Sequence, residues 1–434
     1  MDALTIRLKS VIREKLSDAD VFGLIFDGWS DGASHHILAV FCQCPFGTYL
    51  LGHRQLLTIT NQGANNIAHT IRSIIAEYDL NLDNLAYVVS DNTNVNPAVA
   101  ETLHVPLIGC ASHKFNLAVK RYIKHNFQSV VDKVAAMCIE MRKSNNAGQL
   151  NKFTSLKALG YNETRWSSVY TMIARYKEIH QFITAENFPS LVKKMLSPSE
   201  NSEVDQFLVN LIKFESITRE LQRENLTVLE ARCLFNRVMQ DYPEMSYYLS
   251  QNASIIHDKD FDNALVAIMD ATEHNLSVKQ VQLVKQFEKP ISDISENDDS
   301  GNNTTESYAK DILNSAKKAK VDGTHNYIDM SFINPTSNIV ERLFSQSKLY
   351  FNDKRKRMKT TRLEDTLFLH YHKELWTSKD IANIDMNANI SLQEIDDSDL
   401  ESICSEKNDC DITIIDDYSN QNIASTTSSS SSNI

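Results

Sequence analysis

Two aspartates stand where apolar runs stop. "VFGLIFDGW" carries Asp27 close to its end, and "LAYVVSDNTNVN" carries Asp91 after a run that reads as a buried strand, with asparagines at 92, 94 and 96 following it. If the two runs are neighbouring strands, both carboxylates leave the sheet at one end, a few ångströms apart. Two like charges so placed repel unless a cation sits between them. Mg²⁺ takes oxygen ligands in octahedral geometry, and a pair of such ions can activate an attacking oxygen while stabilising the leaving one in phosphodiester cleavage. Each aspartate alone could equally cap a turn, since Asp-Gly and Ser-Asp-Asn are common turn formers. The pair at matching strand ends favours the metal.

The elements around them must supply that match. From Val21 the chain reads as three strands, "VFGLIFDGW", "HHILAVFCQC" and "TYLLGHRQLL", separated by Gly, Asp, Ser or Pro and expected to be antiparallel neighbours. "NNIAHTIRSIIAEYDL" spaces Ile67, Ile71, Ile74 and Ile75 as a helix does, and "LAYVVSD" and "VPLIGC" are short buried strands of the parallel type. Three strands, a helix and further strands is the order of the ribonuclease-H-like fold, whose third carboxylate usually comes from a later helix. The expected class is therefore α/β: a ribonuclease-H-like mixed sheet with helices.

After Cys110 nearly everything up to about Pro290 reads helical. "EVDQFLVNLIKFESITREL" lines Val204, Phe207, Leu211, Phe214, Ile217 and Leu221 along one side. Residues 187–322 are expected to form an all-helical insertion between a first catalytic part, 1–186, and a second, 323–377. The polar stretch 295–307 should be a mobile linker, helical patterning resumes over Asn338–Trp376, and the acidic, Ser-rich tail, 378–434, should be disordered.

Composition fits that plan. The 434 residues are 42% hydrophobic and 23% charged, ordinary for a soluble globular protein. No apolar run approaches the roughly 18 residues a membrane span needs. "MDALTIRLKSVIREKL" resembles an amphipathic helix rather than a secretory signal, so an intracellular chain is expected. The seven cysteines lack paired C-x-x-C spacing and read as free thiols. The net charge of −12 argues against a nucleic-acid partner only until it is located: residues 378–434 hold twelve acidic and two basic side chains, so the body is nearly neutral.

Five segments in order resemble the hAT superfamily of DNA transposases. "FDGWSDGASHHILAVF" is similar to its first catalytic segment and "VVSDNTNVN" to its second. "CASHKFNLAVKRYIK" resembles its Cys-x-x-His and following helix, and "NETRWSSVYTMIARY" its Arg-Trp segment. "PTSNIVERLFSQSKLYFNDKRKRMKTTRLEDTLFLHYHKELW" resembles the C-terminal dimerisation region named for the family.

The resemblance implies a metal-binding catalytic triad of Asp27, Asp91 and Glu341 holding Mg²⁺ or Mn²⁺, DNA as substrate, no small-molecule substrate, and work in the nucleus. Without the family, Glu341 would read as a solvated helical residue paired with Arg342 or Lys348. Trp29 and Trp166 fall where family members place aromatics that stack on an extruded base, though either could simply fill a core. Arg165 could hold a phosphate or pair with Glu163, and His113 is expected near a helix N-terminus beside the site. Lys354, Arg355, Lys356 and Arg357, within "KRKRMK", read as a DNA-backbone or nuclear-import patch or as a solvated helix end. Val340, Leu343, Phe344, Leu367 and Phe368 are expected at a homodimer interface. Family members carry a zinc-binding finger before the first catalytic strand, and no Cys/His module stands between Met1 and that strand here. The resemblance thus implies a protein defective in recognising transposon ends, or a domesticated scaffold without catalysis.

Overall fold

The computed structural model describes residues 2–30, 36–56, 63–162, 165–289, 308–310, 326–350 and 360–382. The linker expected at 295–307, the basic run 354–359 and nearly all of the acidic tail lie outside the described residues.

Five strands make one mixed sheet in the order β3-β2-β1-β4-β5. They are β1 (Phe22–Ser30), β2 (His36–Cys44), β3 (Gly47–Gln55), β4 (Leu85–Ser90) and β5 (Leu107–Gly109). The first three are antiparallel neighbours, while β4 runs parallel to β1 and β5 parallel to β4. Order and directions are those of a ribonuclease-H-like sheet. All six residues of β4 are buried, as expected of a parallel strand covered on both faces. Gly23 lets β1 and β4 pack closely, because a Cβ there would fall 2.1 Å from the Tyr87 ring.

α1 (Asp2–Leu16) precedes the sheet, and α2 (Ala64–Ala76) and α3 (Val95–Leu103) flank the passage from β3 to β5. Ile74 of α2 packs over Gly52, on one face of the sheet. The helical series is α4 (Ala111–Asn126), α5 (Gln128–Met141), α6 (Ser144–Leu150), α7 (Ser167–His180), α8 (Pro198–Leu221), α9 (Val228–Asp241), α10 (Ser246–Leu249), α11 (Lys259–Met269) and α12 (Val278–Leu283). The last two long helices are α13 (Asn338–Tyr350) and α14 (Thr360–Tyr371). Helix α8 starts at a capping box, Ser197 with Glu200, which satisfies backbone N–H groups at its first turn.

Two hydrophobic cores result. One surrounds the sheet and gathers α1 to α3, α11, α13 and α14; the other holds α4 to α9 together. The all-helical core thus begins at Ala111, well before residue 187, because Phe115 of α4 packs against Phe214 and Phe235 of α8 and α9. Helix α11 returns to the sheet core through Phe261 and Leu265. A buried Lys114–Asp262 pair, 3.8 Å apart, ties α4 to α11 across the junction.

The five positions expected at a subunit interface are occupied within the chain. Val340, Leu343, Phe344, Leu367 and Phe368 are all buried in the sheet core, and Phe344 lies against Trp29 and His53 with ring centroids 5.8 and 6.0 Å away. Helix α14 packs on β3, which would otherwise present an unpaired sheet edge. The apolar excess of these helices answers to that edge and to one face of the sheet.

Candidate active site

Parallel pairing sets the first two carboxylates side by side. The register runs Leu24↔Val88 and Ile25↔Val89, and its continuation by two residues would set Asp27 opposite Asp91. The Ser90 hydroxyl donates to the Phe26 carbonyl at 2.8 Å, so the strands remain joined up to the residue before each aspartate. Asp27 also pairs with Ala39 of β2, leaving its position braced on both sides.

The asparagines after Asp91 have separate tasks. Asn96, 5% exposed, donates to Asp91 Oδ1 at 2.6 Å and to the Ser90 hydroxyl at 2.8 Å. Thr93 adds its N–H and its hydroxyl to the same Oδ1, at 3.1 and 2.7 Å. One oxygen of Asp91 is thereby fixed, and Oδ2 receives no hydrogen bond from the described residues. Asn92 reaches the Cys110 carbonyl at 3.5 Å, and Asn94 is the N-cap residue of α3.

Glu341 arrives from far along the chain because the start of α13 is stitched to the end of β5. The Ala111 N–H donates to the Pro335 carbonyl at 2.9 Å, and the Ser337 N–H to the Cys110 sulfur at 3.4 Å. Asn338, 6% exposed, donates to the Ser112 hydroxyl and to the Leu221 carbonyl, both at 2.9 Å. Leu221 ends α8, where the last carbonyls have no partner inside the helix. The helical core thus hands the chain back beside β5, and Glu341 lies in the first turn of α13. Cys110 is 1% exposed and burial holds its thiol above the usual range, which suits packing and not metal ligation.

Charge gathers at Asp27. Burial and the charges of Asp91 and Glu341 together push its carboxyl up to about 7, against the hydrogen bond from the Gly28 N–H, 2.8 Å long, which works the other way. Asp91 and Glu341 therefore both lie within electrostatic reach of Asp27. Among the described residues, however, no three His, Cys, Asp or Glu side chains form a closed metal cage. Glu341 Oε2 is turned to Arg165 Nη2, 2.5 Å away. Arg342 pairs instead with Glu224, and Glu163 lies outside the described residues. Asp27, Asp91 and Glu341 offer oxygen donors, the type hard divalent cations take, while Glu341 is held by Arg165.

A cleft of about 270 Å³ joins His113, Arg165, Trp166 and Glu341, four residues from three separate motifs. His113 is the third residue of α4. Trp166 is 3% exposed and sits in the helical core, edge-on to Phe214, with its N–H donating to Asn116 Oδ1 at 3.2 Å. It also lines the cleft. Trp29 is half-buried against Phe344 beside Asp27. Sequence reasoning missed Asn96, Asn338 and Asn116 as the side chains that position the site. Asn96 and Asn338 are buried and Asn116 is partly buried.

Trp166→Ala should cost stability as well as shape. A large side chain buried to this degree is worth about 3–5 kcal/mol on truncation. Urea unfolding followed by circular dichroism should show a loss of that size, with Trp166→Phe recovering most of it.

No family model matches this chain, and no curated protein matches it. Among solved structures it resembles the Drosophila P element transposase strand transfer complex, with 9% sequence identity, a TM-score of 0.29, 81% of this chain covered and 76% of that one. So loose a likeness decides nothing about activity.

Proposed function

We propose that the chain is a hAT-transposase-like protein that cleaves DNA strands with divalent ions held by Asp27, Asp91 and Glu341. Support for this reading comes from three carboxylates that remote segments bring near one another: Asp27 and Asp91 on strands joined by the Ser90–Phe26 hydrogen bond, and Glu341 on a helix whose start is fastened to the end of β5, with the charges of both partners felt at Asp27. Like-charged carboxylates brought near one another repel, and a cation between them would offset that cost. When bound, Mg²⁺ or Mn²⁺ would supply Lewis acidity towards a phosphodiester and a more acidic attacking oxygen.

The chain's own residues do the rest. Asn96 and Thr93 hold Asp91 in one orientation, and Asn338 holds the first turn of α13 where Glu341 can turn inwards. Arg165 neutralises Glu341 in this structure, and its guanidinium is of the planar, forked kind that can bind a phosphate bidentately. His113 lines the same cleft and can donate a hydrogen bond to the bound strand. The reading places the protein's work in the nucleus, with self-association through surface other than the five buried positions of α13 and α14. The alternative, a domesticated DNA-binding scaffold whose carboxylates are relics, is favoured by the closed Arg165–Glu341 pair.

Purified protein given supercoiled DNA decides between them. Nicking that needs Mn²⁺ or Mg²⁺, stops with EDTA and shows little sequence preference supports the enzyme; no nicking with either ion supports the scaffold.

A further inference from the structure

Beside the active cleft lies a larger groove of about 580 Å³ along α4. Lys120, Arg121, Lys124 and Arg165 line it, and no carboxylate does, although the chain as a whole carries a net charge of −12. Lys120 and Lys124 are exposed, and among the described residues neither enters an ion pair. They stand one helical turn apart on α4, about 6 Å along the axis, comparable to the step between consecutive phosphates of one strand. The Arg121 guanidinium lies over the Tyr247 ring, 4.3 Å from its centroid, which orders it without neutralising it. Arg165 and Trp166 line this groove and the active cleft alike, so the two are continuous at those residues.

We propose that the α4 groove is the track for the DNA strand leaving the active site, with Lys120, Arg121 and Lys124 holding successive phosphates. The identity of the polyanion rests on the DNA reading above; the track itself rests on the groove. An extended row of cations on one helix, continued by Arg165 on a second segment, suits a chain of phosphates better than a single anion, which would call for convergent donors. Tyr161 and Tyr248 also line the groove and give it aromatic surface that tolerates any base. Contacts of this kind fix position and affinity and carry no sequence information.

The test is fluorescence anisotropy of a labelled random-sequence duplex with a single-stranded extension, in EDTA, across a salt series. Each phosphate contact contributes about 0.9 to the slope of log affinity against log salt on duplex, and about 0.7 on a single strand. Lys120→Ala/Lys124→Ala should flatten that slope by about 1.4–1.8 and weaken binding equally for unrelated sequences. Lys15→Ala/Lys193→Ala removes the same charge from residues that do not line the groove and should leave the slope unchanged. Equal slopes for the two double variants, or no binding by the wild-type chain, overturn the proposal. Because EDTA removes the cations, the result does not depend on cleavage: a chain that binds through the groove and never nicks loses the enzyme reading alone, and one that nicks normally without both lysines loses the track alone.

Discussion

Asp91→Asn should leave the chain folded and reduce metal-dependent nicking of DNA by more than about 100-fold, because even residues that only support a metal ligand cost about 10–100-fold when changed. The fold survives because the substitution keeps what Asp91 does structurally. Its Oδ1 accepts three hydrogen bonds, from the Thr93 N–H, the Thr93 hydroxyl and Asn96, and an amide oxygen can accept the same three. What changes is Oδ2, which becomes an NH₂ group, carries no charge and cannot hold a cation. Thermal unfolding of the variant within a few degrees of wild type, alongside absent nicking, is the expected pair of results. Equal nicking by both proteins would mean that the activity belongs to a contaminant.

Asp27→Asn should make the protein more stable at pH 8 and leave it nearly unchanged at pH 4. The folded-state carboxyl is raised from 3.8 to about 7 by burial and by the charges of Asp91 and Glu341. The unfolded chain therefore gives up its proton near pH 4 while the folded chain keeps it, so wild-type stability is full below that point, falls as pH rises towards 7, and is level above it. Three pH units correspond to about 4 kcal/mol, and partial solvent screening reduces that to about 2–4 kcal/mol. Asparagine escapes the loss and can still accept the Gly28 N–H. Urea titrations of both proteins in EDTA at the two pH values check the sign. Adding Mg²⁺ should then shrink the variant's advantage at pH 8, because a bound cation stabilises only the chain that retains the carboxylate.

The two aspartates were legible in the sequence because local signals suffice for them. Apolar runs of strand length mark β1 and β4, and the βββαβ order makes them neighbours, although β1 does not stop at Asp27 but stays paired with β2 as far as Ser30. The burial of Phe207, Leu211 and Phe214 on α8 followed equally from helical spacing. Glu341 could be named only through resemblance, since nothing near it in sequence reports where it goes. Its place depends on Asn338 reaching Ser112 and Leu221, and on Ser337 reaching Cys110, contacts between segments more than a hundred residues apart.

The Arg165–Glu341 pair was missed for the same reason: a charged side chain on a surface loop has many local candidates, and Glu163 was the nearest. The apolar excess of α13 and α14 was read correctly as a demand for burial. Within the chain the sheet core covers it, and hydrophobic spacing reports how much surface must be hidden and not whether the chain or a second copy hides it. The start of the helical core at Ala111 was likewise hidden, since α4 follows the last strand without a break in composition and only its contacts with α8 and α9 assign it.

On this reading Asp27, Asp91 and Glu341 share divalent cations. Titration of Mn²⁺ into DNA-free protein, with free ion counted by its paramagnetic resonance signal, tests it without asking for any turnover. Saturable binding by the wild-type chain, weakened at least tenfold by Asp27→Asn, by Asp91→Asn and by Glu341→Gln separately, is the result the account predicts; Arg165→Gln should tighten binding by freeing Glu341. Identical Mn²⁺ binding by the wild-type chain and by all three carboxylate variants would contradict it.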